Sequence, residues 1–192
     1  GDWSSDVCSS DLLKKNLRIK FKRLRKERYF EVKESFFNPL ISFLKKNYKK
    51  KINLCLYCPI NYELNVMKLA NMLKDNSYYR FLLPKITKKE LDFHEWKYLS
   101  PLKLNKMGLM EPLSNIRYRP DVIIAPLLAY DKNKNRLGYG LGFYDKYIKK
   151  NKKKYNMITI GAAFSFQYYK NLPTNFFDEK VDYMLTEKGL FK

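Results

Sequence analysis

Cysteine and histidine are scarce in this sequence. The 192 residues contain three cysteines, Cys8, Cys55 and Cys58, and a single histidine, His94. An odd and low number of cysteines does not indicate a disulfide framework and is typical of a reducing compartment, so we expect a cytoplasmic protein. Because no serine or cysteine is arranged with His94 as nucleophile and base, we expect no catalytic triad.

Cys55 and Cys58 form a C-x-x-C pair, which in other sequences marks a zinc or redox site. A zinc site needs a second pair of cysteine or histidine ligands, and none accompanies this one. The pair also falls at an apolar run, 52–57, that predicts a buried strand, and residues three apart on a strand point to opposite faces. We therefore expect neither a metal site nor a redox role at these cysteines.

Long apolar runs are also missing. A membrane span requires about 18 consecutive apolar residues, and a signal peptide requires a basic start followed by an apolar run. We find neither, and expect no membrane association. Residues 1–12 instead are rich in serine and aspartate and contain no lysine or arginine. We interpret them as a disordered or artefactual leader, and 13–192 as one domain, since the chain is too short for two ordinary domains.

Positive charge is abundant: 39 lysines and arginines face 19 aspartates and glutamates, for a formal net charge of +20. One explanation is a polyanionic partner such as nucleic acid. The other is a codon bias that favours lysine, asparagine, isoleucine, phenylalanine and tyrosine. The lysines are spread along the whole chain, which favours the second explanation and leaves the first as an alternative.

Helical and strand patterns alternate along the chain. The predicted helices cover 12–29, 35–48, 63–74 and 143–150, and the predicted strands cover 52–57, 79–83, 121–128, 157–163 and 181–186. The nearly continuous apolar strands are typical of a sheet that is covered on both faces. We predict a three-layer α/β fold, Rossmann-like, with a largely parallel central sheet and helices on both faces.

A glycine-spaced loop follows the strand predicted over 121–128 and leads into a helix. Ligands of open α/β sheets bind beyond the carboxyl ends of the strands, and glycines let the backbone approach a phosphate. Arg136 precedes the glycines and is suited to bind phosphate, whereas Asp145 follows them and is a ligand type that Mg²⁺ prefers. The spacing matches neither the P-loop nor the dinucleotide-binding motif, so a plain structural turn remains the alternative.

The string RLGYGLGFYDK (136–146), preceded by PLLAYD (126–131), resembles the signature of the 5-formyltetrahydrofolate cyclo-ligase family. Further landmarks of that family appear in order: Lys14 and Arg18; Tyr57, Pro59 and Glu63; Leu83 and Pro84; Glu111 and Pro112; Gln167; and Pro173, Asp178 and Asp182. The resemblance spans 13–190, nearly the whole chain. One departure is Leu141, which stands where relatives usually have glycine and would be strained if its φ were positive.

The resemblance implies roles for individual residues. ATP would be bound by Lys14, Arg18, Arg136, Leu137, Gly138, Tyr139, Gly140, Leu141, Gly142, Phe143 and Tyr144. The folate would be bound by Tyr57, Glu63, Gly140 and Tyr144, and Mg²⁺ by Asp145 and Asp182. Arg136 and Asp145 would be the catalytic residues.

The resemblance also implies the cyclo-ligase fold, a monomer, and an activity. The enzyme would use ATP and Mg²⁺ to close 5-formyltetrahydrofolate to 5,10-methenyltetrahydrofolate through a phosphorylated formyl group, with release of ADP and phosphate. No specific nucleic-acid partner is implied. Two alternatives remain open: a non-enzymatic nucleic-acid-binding relative on the same fold, and a different ATP-dependent ligase or kinase.

Overall fold

The structure is a computed structural model that describes residues 3–88 and 90–192. Its α-helices are α1 (Trp3–Arg28), α2 (Asn38–Asn47), α3 (Met67–Leu73) and α4 (Phe143–Asn151). No helix in these ranges is both long and apolar enough to cross a membrane.

Helix α1 extends through most of the segment interpreted as a leader. Residues 3–12 are helical in the structure, residues 1 and 2 lie outside the described residues, and the expected disorder of the segment stays a prediction. Serine and aspartate favour the first turn of a helix, a signal that the leader interpretation set aside. That the segment is foreign to the domain stays a prediction.

The described residues form eleven strands: β1 (Ile52–Cys55), β2 (Tyr79–Thr87), β3 (Glu90–Glu95), β4 (Leu102–Leu104), β5 (Met110–Pro112), β6 (Val122–Pro126), β7 (Ala129–Tyr130), β8 (Arg136–Leu137), β9 (Ile158–Ala162), β10 (Tyr183–Thr186) and β11 (Gly189–Phe191). Seven of them make one sheet in the order β11-β10-β9-β6-β1-β2-β3. The edge strands β3 and β11 are antiparallel to their neighbours, and the other pairs are parallel.

The parallel strands β1, β2, β6, β9 and β10, numbered one to five along the chain, stand in the order 2-1-3-4-5. This is one of the two common orders of doubly wound α/β folds, and its switch point lies between β1 and β6. A ligand crevice is therefore expected where these two strands end. The predicted α/β class with a largely parallel sheet is confirmed.

Helices cover both faces of the sheet, because successive residues of a strand point to opposite sides. Leu54 in β1 packs in one cluster with Leu44 of α2 and Leu69 of α3. The next residue, Cys55, packs in a second cluster with Ile148 of α4. The three predicted layers are thus present.

Strand β2 is longer than predicted. Pro84 was expected to end it, yet the strand continues to Thr87 in register with β3. The partner on the other side, β1, ends at Cys55 opposite Leu82. From Leu83 onward β2 therefore has a neighbour on one side only, where the missing N–H of a proline is tolerated.

Gly161 in β9 lies where neighbouring side chains leave no room for a Cβ atom, so a substitution there tests the packing. A Cβ added there would lie 2.6 Å from the Met184 sulfur and 2.8 Å from Cδ2 of Leu127. Both side chains are buried, so they have little room to retreat. We expect Gly161→Ala to lower the free energy of unfolding by about 1–3 kcal/mol in chemical denaturation.

Gly138→Ala is the matched control for that substitution. A Cβ at Gly138 meets no heavy atom within 4 Å, and the backbone there does not require glycine. We expect a change below about 0.5 kcal/mol. Equal losses in the two variants would contradict the close packing at Gly161.

Candidate active site

A cavity of about 620 Å³ lies beyond the carboxyl ends of β1 and β6. Nearly all the site residues predicted from the sequence line it: Lys14, Arg18, Tyr57, Glu63, Arg136, Leu137, Gly138, Tyr139, Gly140, Leu141, Gly142, Phe143, Tyr144 and Asp145. Asp182 is the exception. Residues that lie far apart in the chain thus meet at the switch point of the sheet, where doubly wound folds bind ligands.

The glycine loop (residues 138–142) forms one side of this cavity and ends at α4. Gly140 has a φ of +105° and Gly142, the N-cap of α4, has a φ of +66°, conformations that disfavour side chains. Leu141 between them is not among the residues with positive φ, so the strain considered from the sequence does not arise. The loop therefore presents backbone N–H groups at a helix start, an arrangement that attracts anions.

Two cations of α1 reach the glycine loop and its surroundings. Lys14 and Arg18 are one helical turn apart and so lie on the same face. The Lys14 ammonium pairs with Asp178, and Arg18 Nε donates a hydrogen bond to the Gly138 carbonyl at 3.0 Å. A Cβ on Gly140 would lie 3.2 Å from Cζ of Arg18. The side chain of Arg18 thus lies against the loop.

Arg136 and Asp145 form an ion pair in the wall of the cavity. Arg136 follows a tight turn between β7 and β8, in which the Asp131 carboxylate accepts a hydrogen bond from the Asn135 N–H at 3.0 Å. Arg136 Nη2 donates to Asp145 Oδ1 at 2.9 Å, and Nη1 donates to the Glu179 carbonyl at 2.8 Å. The Glu179 N–H also donates to Asp145 Oδ1, at 3.0 Å. Arg136 therefore orients the Asp145 carboxylate as well as lining the cavity.

Asp182 is not brought to Asp145, in contrast to the metal site expected from the resemblance. Its carboxylate accepts hydrogen bonds from the N–H and the hydroxyl of Thr159, each at 2.8 Å, and pairs with Lys152 at 2.7 Å. It precedes β10 and lies beside the start of β9, at the amino ends of the strands, whereas the cavity is at the carboxyl ends. Of the two aspartates that follow Pro173 in the family landmark, Asp178 lines the cavity.

The described residues contain no cluster of three or more metal-ligating side chains. Asp145 and Asp178 both line the cavity, and the residue after Asp178 donates its N–H to Asp145. Mg²⁺ commonly uses one or two carboxylates and completes its shell with water and substrate phosphates. The donor set fits such an ion.

Glu63 lies in the inner part of the cavity and is buried. The helix predicted to begin here begins at Met67, and Glu63 instead closes a turn in which its Oε2 accepts a hydrogen bond from the Ile60 N–H at 2.9 Å. Oε1 is buried and accepts no hydrogen bond of ordinary length from the described groups, although Arg25 and the Tyr139 hydroxyl lie close enough to lower the pKa of Glu63 through weaker hydrogen bonds. Burial raises the pKa of Glu63 to about 7, against the opposing effects of the Ile60 N–H and of the Arg25 charge.

Arg25 is a residue of this region that sequence reasoning missed. It is completely buried, its Nη1 lies 3.7 Å from Oε1 of Glu63, and its Nη2 donates a hydrogen bond to the Tyr139 hydroxyl. The available signal was its spacing, since Arg25 lies seven residues after Arg18 and continues the same helix face. The many other cations of α1 hid that signal.

The hairpin of β4 and β5, also missed, forms an opposite and more apolar wall with Met107, Leu109 and Met110. It is tied to β2 through Glu111, whose Oε1 accepts hydrogen bonds from the Ile86 N–H at 2.8 Å and from the Asn105 side chain at 2.7 Å. The cavity thus combines an anion-binding side, a buried carboxylate and an apolar wall suited to a flat ring system.

Comparison with known proteins agrees with this geometry. The model of the 5-formyltetrahydrofolate cyclo-ligase family matches residues 8–187. The chain belongs to this family. It is 33% identical over 133 residues to a 5-formyltetrahydrofolate cyclo-ligase of Haemophilus influenzae, an alignment that covers 66% of this chain and 71% of that protein. A cyclo-ligase of Mycoplasma genitalium is 28% identical over 137 residues, which cover 69% of this chain and 68% of that protein.

Solved structures agree with this chain in fold. The NMR structure of Aquifex aeolicus 5,10-methenyltetrahydrofolate synthetase superposes with a TM-score of 0.73 at 29% identity, covering 94% of this chain and 92% of that one. A 5,10-methenyltetrahydrofolate synthetase from Mycoplasma pneumoniae has the same fold, with a TM-score of 0.67 at 23% identity over 90% of this chain and 97% of that one.

The pKa of Glu63 generates a test of the cavity. Its folded value of about 7 lies above the ordinary 4.5, so the folded state keeps a proton that the unfolded state releases. This contribution to stability is complete below about 4.5 and is lost as the pH rises through about 7. We expect Glu63→Gln, measured without ligand, to match the wild type near pH 4.5 and to exceed it by roughly 3 kcal/mol at pH 8.5.

The measurement is urea unfolding of both proteins at several pH values. Comparing the two proteins cancels the titration of other groups. A constant difference across this pH range would contradict a buried carboxyl with a raised pKa.

Proposed function

We propose that this protein catalyses the ATP-dependent cyclisation of 5-formyltetrahydrofolate to 5,10-methenyltetrahydrofolate. The observation that carries the proposal is a single cavity that joins the glycine loop, with its cations, to the buried carboxylate of Glu63. Membership of the cyclo-ligase family gives the substrate class. The two ends of the cavity suit a nucleotide triphosphate and a pterin, the two reactants of this reaction.

ATP phosphates are proposed to bind at the glycine loop. The start of α4 offers backbone N–H groups, and Lys14 and Arg18 bring positive charge to the same place. Gly140 has no side chain to fill the space against Arg18. The proposed nucleotide site comprises Lys14, Arg18, Arg136, Leu137, Gly138, Tyr139, Gly140, Leu141, Gly142, Phe143 and Tyr144.

A magnesium ion is proposed to be held by Asp145 and Asp178, rather than by Asp145 and Asp182. When bound, such an ion offsets negative charge on the phosphates of the nucleotide. Arg136 keeps the Asp145 carboxylate in place through its 2.9 Å hydrogen bond, and Lys14 does the same for Asp178. The two acids are thus oriented by cations that also lie in the cavity.

The pterin is proposed to bind over Glu63. Oε1 of Glu63 accepts no hydrogen bond of ordinary length from the described residues, and a pterin offers N–H donors. The hydroxyl of Tyr144 is a second buried group without a hydrogen-bond partner among the described residues. Tyr57 donates its O–H to the Leu64 carbonyl at 3.0 Å, which leaves its ring as a wall. Gly140 would leave room for the folate beside the nucleotide.

The chemistry requires positioning more than covalent participation. The formyl oxygen attacks the γ-phosphorus of ATP and ADP leaves. The neighbouring folate nitrogen then attacks the activated carbon and loses its proton, and phosphate leaves as the ring closes. Most of the catalysis comes from alignment and from offsetting the negative charge that develops on the phosphoryl oxygens. Lys14, Arg18 and Arg136 supply positive charge at that place.

We also infer that the protein acts as a monomer in the cytoplasm. Cys55 and Cys58 are free thiols, as is usual in a reducing compartment.

Turnover is the direct test of this proposal. Purified protein is mixed with 5-formyltetrahydrofolate, MgCl₂ and ATP, and the near-ultraviolet absorbance of the methenyl product is followed. We expect a rise that requires both ATP and Mg²⁺. Arg136→Ala and Asp145→Asn should each lower kcat/KM by about 100-fold or more, with unchanged circular dichroism. A flat trace from the folded wild type would overturn the proposal and favour a nucleic-acid-binding relative.

Asp178 and Asp182 provide a matched pair for the magnesium assignment. Asp178→Asn removes a charge from the cavity, whereas Asp182→Asn removes one at the opposite ends of the strands. We expect the first variant to lose about tenfold or more in activity at limiting Mg²⁺, with recovery as Mg²⁺ is raised. The second should keep a near wild-type Mg²⁺ dependence in the same assay. The reverse pattern would restore Asp182 as the ligand.

A further inference from the structure

Arg25 is buried behind the cavity and contacts it only through other residues. Its side chain is 1% exposed and does not line the cavity, whereas Glu63 and Tyr139, which it contacts, do. Its Nη1 donates to the Leu127 carbonyl at 3.3 Å, and its Nη2 donates to the Tyr139 hydroxyl. The guanidinium is therefore fixed by α1, by the end of β6 and by the glycine loop at once.

The two oxygens of Glu63 have different surroundings. Oε2 is held by the Ile60 N–H, while Oε1 lies 3.7 Å from Nη1 of Arg25, beyond hydrogen-bond distance. Arg25 thus provides a positive charge beside the carboxylate while making no hydrogen bond of ordinary length to Oε1. A buried acceptor without a close partner is costly, so Oε1 is available to a donor that enters the cavity.

From this geometry we propose that Arg25 is a positioning residue that favours the anionic form of the Glu63 carboxylate against its burial, so that Oε1 can accept hydrogen bonds from the N–H groups of the folate. The identity of the ligand rests on the proposed function, whereas the effect of Arg25 on Glu63 does not. Stability alone does not explain a buried pair, because apolar residues of similar volume commonly stabilise a fold as well or better.

The other groups that face Glu63 cannot replace this charge. Tyr139 faces it from the glycine loop, Tyr57 from the end of β1 and Tyr144 from α4. Burial raises the pKa of Tyr139 to about 12 and raises the pKa values of Tyr57 and Tyr144 well above their ordinary value, so all three are neutral near pH 7. Among the described residues, the ion-pair partner of Glu63 is Arg25.

Removing the charge of Arg25 should therefore favour the protonated form of Glu63. A protonated carboxyl has become a donor at one oxygen and accepts the pterin N–H groups poorly. We therefore expect weaker binding of the folate, by an amount that depends on pH. It differs from a general loss of structure, which would affect ATP and folate alike.

The first experiment measures Glu63 directly. Carboxyl ¹³C signals of glutamate-labelled protein are followed against pH, and the Glu63 signal is assigned by its loss in Glu63→Gln. We expect the titration midpoint to rise by about one pH unit or more in Arg25→Met, and to stay near the wild-type value in Arg25→Lys. Arg25→Gln, which keeps donors for Leu127 and Tyr139, makes the same comparison if the Met variant does not fold.

The second experiment measures turnover of the same variants. We expect the KM for 5-formyltetrahydrofolate to rise about tenfold in Arg25→Gln, the KM for ATP to change less than about twofold, and the acid limb of kcat/KM to move to higher pH. In Arg25→Lys, the acid limb of the pH profile of kcat/KM should lie near its wild-type position.

The outcomes separate the two claims. The ¹³C titration needs no substrate, so a wild type without turnover would overturn the proposed function and leave the midpoints to decide the effect of Arg25 on Glu63. Equal midpoints in the wild type and Arg25→Gln would overturn the role of Arg25. So would a shifted midpoint with an unchanged KM for the folate.

Discussion

The site depends on one topological constraint: the chain leaves β1 and β6 toward opposite faces of the sheet. After β1 it passes through α3, and after β6 it passes through α4, so the ends of these adjacent strands are left uncovered. Helix α1 then packs over this end of the sheet, with Leu17 and Phe21 against Leu128 and Leu137. The cavity is the space that remains beneath α1, and the residues proposed to bind the substrates enter it from these elements.

Charge in this cavity is organised in pairs. Lys14 pairs with Asp178, Arg136 with Asp145, and Arg25 with Glu63. In each pair the cation and the acid come from different segments of the chain. The pairs therefore connect α1 to the loops that carry Asp178 and Glu63, and β8 to α4. Isolated buried charges would be costly, and pairing reduces that cost while leaving some oxygens free for ligands. The large positive charge of the chain as a whole explains none of this arrangement.

Much of this was predictable from the sequence where the signal is local. The glycine loop, Arg136 and Asp145 lie in one short string, and the buried strands follow from apolar runs. What could not be predicted depended on tertiary placement. Asp178 and Asp182 are four residues apart and of the same residue type, and only the sheet shows which one lies at the carboxyl ends of the strands. In the sequence, Arg25 cannot be told apart from the surface cations of α1, because its burial depends on how that helix packs. Pro84 would end β2 only if strands were paired with β2 on both sides at that point.

The most direct test of this account is a crystal structure with 5-formyltetrahydrofolate and a non-hydrolysable ATP analogue with Mg²⁺. We expect the phosphates at residues 138–142, the metal between Asp145 and Asp178, and pterin N–H groups on Oε1 of Glu63 with Arg25 still behind it. A folate bound away from Glu63, or a nucleotide bound away from the glycine loop, would contradict it.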